Sequence, residues 1–144
     1  MLQGAVRAVL PHEMVAFGIL EMGVRRVVIC RNVDFPEDYI RTVVKNNDQF
    51  VSPLFDRWVR SQTPQVLHAG NLTGDESSVW TEAFLGTGVY NLIGHGVADL
   101  TRSRASFFSF GGNRGGFTLC HQDILRVVVP HLHTTLVRLY SPTD

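Results

Sequence analysis

Imidazole and carboxylate side chains build most metal sites and acid–base pairs, and one imaginable cluster in this chain joins His12 and Glu13 to His95 and Asp99. Their spacing supports neither chemistry. There is no HExxH pair to place two imidazoles on one helical face, no nucleophile elbow, and no Ser/His/Asp order in a strand-turn-helix context. His131 and His133 are two positions apart, which on a helix sends them to different faces. No catalytic residue, metal site or cofactor is therefore expected, and the chain reads as a non-enzyme. His12 follows Pro11 and is expected to bond backbone at a helix-to-strand corner, with His95 on or near a sheet. The run Gly111-Gly112-Asn113-Arg114-Gly115-Gly116 has neither the GKS/GKT of a phosphate loop nor GxGxxG spacing at a helix start, so it reads as a flexible connection. Cys30 and Cys120 are far apart without CxxC spacing and are expected to be reduced, buried thiols.

The elements that must position these residues belong to one domain, because 144 residues suit a single core. Lys plus Arg and Asp plus Glu both total 13, so no net basic field exists to hold a phosphate backbone, which argues against DNA binding by this segment alone. With 44% hydrophobic and 18% charged residues the composition is that of a folded domain. The N-terminus has no signal-peptide pattern and no apolar run of about 18 residues occurs, so no membrane contact and a cytoplasmic location are expected.

Val6, Val9 and Leu10 recur at helical spacing and Pro11 stops that helix. Residues 14–21 and 25–32, both apolar and separated by Gly23, predict a hairpin. Asp34-Phe35-Pro36-Glu37 has the form of a helix start with Asp34 as cap, and Ser52-Pro53 that of another, with Leu54, Phe55, Trp58 and Val59 on its apolar side and an end near Gln62. A short strand at 65–68, a polar loop at 70–76 and a helix opening at Ser77 or Ser78 and ending at Gly86 to Gly88 follow. Residues 89–100 and 105–110 predict a second hairpin, with Phe108 and Phe110 on one face and Phe107 on the other. A long amphipathic segment from Leu119 to Tyr140 closes the chain, with a kink expected at Pro130 unless the freed carbonyl is satisfied otherwise. Paired hairpins among helices predict an α/β (α+β) domain with an antiparallel sheet and helices on its faces.

Leu10-Pro11-His12-Glu13-Met14 and Phe35-Pro36-Glu37-Asp38-Tyr39 resemble the sensory domains of LuxR-type bacterial transcription regulators, orphan members in particular. The segment from Gly88 to Val97 with Phe107-Phe108-Ser109-Phe110 resembles that family's central hairpin, and Val127-Val128-Val129-Pro130-His131-Leu132-His133 its last sensory helix. The likeness runs over essentially the whole chain. It implies a GAF/PAS-like α-β-α sandwich with a central, mainly antiparallel sheet of about five strands, residues 1–140 forming a sensory and dimerisation domain. Residues 141–144 would begin the linker to a C-terminal helix-turn-helix domain that the sequence does not contain, and DNA would be bound only through that domain.

Family members that sense acyl-homoserine lactones carry a Trp, a Tyr four residues on and an Asp nine residues later. On this chain the pattern falls on Tyr39, Val43 and Ser52, with Ser52-Pro53 in place of Asp-Pro. A carboxylate can accept an amide N–H inside an apolar pocket with about 1.5–3 kcal/mol of charge-assisted strength; Ser52 accepts only as a neutral group, and Val43 replaces no phenol. The resemblance thus implies a sensor of some other small apolar effector, or of none, in place of an ordinary acyl-homoserine lactone receptor. Ser52 has a structural explanation as well, since Ser before Pro is a good helix cap. The candidate ligand-binding residues are Tyr39, Val43, Ser52, Trp58 and Trp80, and Phe84, Tyr90, Phe108 and Phe110 either join them around a cavity or fill the core. On the last helix Leu125, Val128, Val129, Leu132 and Leu136 form an apolar surface that serves the sheet or a homodimer interface, and a two-fold pair suits a regulator reading a two-fold operator. A ligand-free protein-interaction (dimerisation) domain is the alternative function.

Overall fold

The computed structural model describes residues 2–72, 74 and 76–140, with side chains from residue 5 onward. Helix α1 (Leu2–Val9) leads into the hairpin β1 (Met14–Glu21) and β2 (Arg26–Val33). Helices α2 (Glu37–Val43) and α3 (Pro53–Ser61) come next, then β3 (Gln65–His68), a single 3-10 turn at Ala69–Asn71 and α4 (Ser78–Gly86). The second hairpin, β4 (Asn91–Ala98) and β5 (Arg104–Gly111), precedes α5 (Leu119–Tyr140). The expected linker at 141–144 lies outside the described residues.

The two hairpins join through their inner strands. The sheet order is β2-β1-β5-β4-β3 with every neighbouring pair antiparallel, and Phe17 of β1 stands opposite Phe108 of β5. Strand alternation divides the apolar residues between two cores. Ala105 and Phe107 face α2, α3 and α4, packing with Tyr39, Val43, Leu54, Phe55, Trp58 and Trp80. Phe108 and Phe110 face α1 and α5, packing with Val6, Leu10, Leu125, Val129 and Leu136. The result is the expected α-β-α sandwich on five antiparallel strands, with both faces of the sheet covered.

Local chemistry departs from expectation at Asp34 and at the two cysteines. Asp34 does not cap α2: it takes the left-handed conformation (φ 76°), and Pro36 occupies the cap position. The turn into α2 is held by the Asn32 amide, which donates to the Phe35 carbonyl and accepts from the Phe35 N–H. In the first hairpin the left-handed residue is Arg25 (φ 55°), not Gly23. Helix α5 runs through Pro130 as one element, the second of the two outcomes expected there: Pro130 and Arg126, whose carbonyl loses its usual partner, both lie on the exposed side where water can replace the bond. Finally, Cys120 is exposed and Cys30 only half-buried, so neither is a sealed core thiol.

The caps at Ser52 and Ser77 form as the sequence predicts, each hydroxyl accepting a backbone N–H three residues on. The close approach of β1 to β2 depends on Gly18, where a Cβ would sit 2.0 Å from the Ile29 carbonyl oxygen. Among the described residues no helix is long and apolar enough to cross a membrane.

Candidate functional site

Helix α2 turns Tyr39 and Val43, one helical turn apart, toward the sheet. Between that helix, the first hairpin and the start of α3 lies a cavity of about 50 Å³, walled by Gly18, Cys30, Phe35, Tyr39, Val43 and Ser52 among others. No charged side chain lines it; its polar groups are the neutral Ser52, Ser109, Tyr39 and Cys30. Phe35 stacks on Tyr39 with centroids 5.2 Å apart. Burial pushes the Tyr39 phenol above its ordinary range, opposed by a smaller pull from the Trp80 indole. Burial likewise raises the Cys30 thiol, only partly offset by Arg31. The Ser52 hydroxyl accepts from the Phe55 N–H at 3.3 Å, so its oxygen is already engaged in capping α3.

Tyr39, Val43 and Ser52 therefore share one cavity, while the other two candidates do not line it. Trp58 is sealed at 0% exposure and donates its indole N–H to His95 Nδ1 at 3.0 Å. His95 sits on β4 one residue past Gly94, where β3 ends, between that indole and the positive charge of Arg126 on the opposite layer. Burial first, and then Arg126, hold its pKa down to about 4, keeping the ring neutral and able to accept. Trp80 borders a separate cleft of about 380 Å³, with Val51 and Pro53 on either side of Ser52, Asp56, and the ion pair Arg57–Glu76 (3.0 Å). Its own buried indole nitrogen interacts with the Tyr39 phenol, in a geometry looser than a full hydrogen bond.

The remaining aromatic candidates fall elsewhere. Tyr90 is exposed, and Phe108 and Phe110 point to the α1 and α5 layer, so none of them walls the cavity. On that second layer is an open apolar groove of about 330 Å³ beside Val6, Phe17, Val33, Leu132, Leu136 and Leu139, which periodicity alone did not foretell. Of the five residues expected at a dimer interface, Leu125, Val129, Leu132 and Leu136 are buried against the chain's own sheet and Val128 is half-buried. Sheet packing takes the apolar stripe because α5 must cover a face bearing Phe108, Phe110 and Ile93. The outward side of α5 presents Leu119, Val127 and Leu139 instead.

Besides His95, two further histidines hydrogen-bond within the fold. His12 Nδ1 bonds the Leu10 carbonyl at 2.7 Å at the helix-to-strand corner, and His133 Nδ1 pairs with the Ser106 hydroxyl at 2.6 Å. Among the described residues no three His, Cys, Asp or Glu side chains converge to hold a metal ion.

No family model and no curated protein matches the chain. Solved structures do. The N-acylhomoserine lactone-dependent LuxR family transcription factor CepR2 of Burkholderia cenocepacia superposes at a TM-score of 0.71 and 19% identity, over 96% of this chain and 84% of that one. The GAF domain of a two-component sensor histidine kinase from Bacillus halodurans superposes at 0.65 and 10% identity, over 98% and 93%. The fold is GAF-like. The VqsR LBD domain of Pseudomonas aeruginosa shares this GAF-like architecture at a TM-score of 0.61 and 15% identity, over 99% of this chain and 86% of that one. Identities this low carry the fold and leave the ligand open, which puts the functional weight on the chain's own cavity.

Proposed function

We propose that this GAF-like domain is the sensory and dimerisation half of a cytoplasmic LuxR-type transcription regulator, acting on DNA through a helix-turn-helix domain elsewhere in the regulator. The observation that carries the reading is the shared cavity: the three positions at which the sequence resembles the family's signal-binding pattern, Tyr39, Val43 and Ser52, line one apolar chamber between sheet and α2. An effector would act by its differential affinity for two arrangements of the dimer, and only to the extent of that difference.

In this reading the effector is not an ordinary acyl-homoserine lactone. The cavity has no carboxylate to accept an amide N–H, and the one hydroxyl at the matching position already caps a helix. Thermal-shift and calorimetric titration with lactones of graded chain length should show no saturable micromolar binding. Tight saturable binding of any member would refute the exclusion.

The chamber's size favours a second reading, a ligand-free dimerisation domain. At about 50 Å³ it is well below the roughly 300 Å³ at which small-molecule pockets begin, so a guest must expand it. The sensory reading requires a homodimer, and Leu119, Val127 and Leu139 are apolar residues that α5 leaves exposed for it. Sedimentation equilibrium of the wild type and of a Val127→Glu/Leu139→Glu variant tests this: a dimer that the variant dissociates is expected, and a monomeric wild type would refute it.

A further inference from the structure

The groove on the α5 side of the sheet has about 330 Å³ of space, against about 50 Å³ in the cavity under α2. Only the groove reaches the range of roughly 300–1,000 Å³ that small-molecule sites occupy. Its walls include Val6 of α1, Phe17 and Val33 of the first hairpin, and Leu132 and Leu139 of α5. Thr135 is the one polar side chain among the described residues that line it, and its hydroxyl already donates to the His131 carbonyl at 3.2 Å. The interior of the groove is thus suited to hydrocarbon. A cation stands at one end. Arg31 is directly opposite Phe17 in the β1–β2 register and so shares its face of the sheet. Its guanidinium lies 5.3 Å from the centre of the Tyr140 ring, the residue after Leu139. One of its N–H groups donates to the Cys30 carbonyl at 3.1 Å, and among the described residues no carboxylate comes within ion-pair distance of it. The helical layer beside it cannot supply one, because neither α1 nor residues 124–140 of α5 contain an Asp or Glu.

We propose that this groove is a second binding site, separate from the cavity, for a straight-chain carboxylate whose hydrocarbon tail lies between Phe17, Val33 and α5 and whose head meets the Arg31 guanidinium beside Tyr140. The site lies on the other face of the sheet and does not depend on the sensory reading. Because Arg31 is exposed, the carboxylate keeps part of its hydration while the tail leaves water, so no charge has to be buried. A cationic amphiphile is repelled at that end, and a neutral one gains nothing from the guanidinium. A second copy of the chain, meeting this groove through its own α1 and α5, brings no acidic side chain from residues 2–9 or 124–140 to Arg31.

The probes are decanoate and 1-decanol, titrated at neutral pH, where decanoate is ionised, and below the concentration at which it forms micelles. Methyl NMR signals report the place of binding: Val6, Val33 and Leu139 for the groove, Ile40 and Val43 for the cavity. The expected result is a saturable shift of the groove signals with decanoate while Ile40 and Val43 stay in place. Arg31→Gln should weaken decanoate about three- to fivefold and leave 1-decanol unchanged. Shifts confined to Ile40 and Val43 would overturn the groove site and place the ligand in the cavity, in support of the sensory reading. An Arg31→Gln variant that loses affinity for both probes equally, or for neither, overturns the role of Arg31 and with it the choice of a carboxylate. Groove signals that move with protein concentration and not with decanoate identify a second copy as the occupant and overturn the site, as does a spectrum in which no methyl moves. Should Arg31→Gln fail to fold by its thermal melt, the wild type decides: added salt must weaken decanoate relative to 1-decanol, and equal salt dependence refutes the ion pair.

Discussion

The Trp58–His95 contact makes the domain's stability depend on pH in a calculable direction. The indole N–H needs a lone pair on Nδ1, and a protonated ring would meet it with a second N–H while facing Arg126. The folded state therefore holds His95 at about 4 against an ordinary value of 6.5. The unfolded chain then binds more protons than the folded one between those values, so stability rises with pH across that interval and falls as pH drops through it. The stabilisation is complete above about pH 6.5 and lost progressively down to about pH 4, below which the curve flattens. A difference of this size integrates to about 3 kcal/mol, of which roughly 2 is lost by pH 5. Solvent at the outer edge of the ring trims this to about 1–2 kcal/mol between pH 7.5 and 5. The assay is urea unfolding of wild type and His95→Gln at several pH values in that window, since a Gln side-chain oxygen can still accept the indole N–H but does not titrate. The difference between the two stability curves cancels what the other histidines contribute. It should shrink by about 1–2 kcal/mol as pH falls from 7.5 to 5; a difference that stays flat across the window would refute the argument that the neutral ring is held by Trp58.

Further outcomes follow from the same geometry. Gly18→Ala forces a Cβ to within 2.0 Å of the Ile29 carbonyl, so it should cost more than about 2 kcal/mol in urea unfolding by prying β1 from β2; a neutral change would show that the two strands can separate freely. Ser52→Ala removes the α3 cap and should lower stability by about 1 kcal/mol, while Ser52→Asp should retain most of it, both read from the same denaturation curves. Leu125→Ala, at a position buried against the sheet, should cost about 2–5 kcal/mol and leave the association constant in sedimentation unchanged. A selective loss of association would return that residue to the interface.

The hairpins and caps were legible because they are local. Period-two alternation fixes which way Phe107 and Phe108 point without reference to anything distant, and a Ser before Pro specifies its helix start within three residues. What was not legible depends on partners far away in sequence. The pairing of β1 with β5 decides that Phe108 and Phe110 belong to the α5 layer and so cannot wall a cavity under α2. The same pairing turns the apolar stripe of α5 inward, so that Leu125, Val129, Leu132 and Leu136 are buried against the chain's own sheet. The cavity's strand-side walls, Gly18 and Cys30, gave no signal, because a glycine and a lone cysteine in a strand pattern indicate a close approach or a small core residue and nothing about a chamber.

Ser52 shows how one position can carry two readings and still leave the function undecided. As a cap it must keep a short acceptor within reach of the Phe55 N–H, and that demand alone accounts for its type. As a cavity wall it stands at the position where the resemblance to lactone sensors would put a carboxylate, and its oxygen is already engaged in the cap.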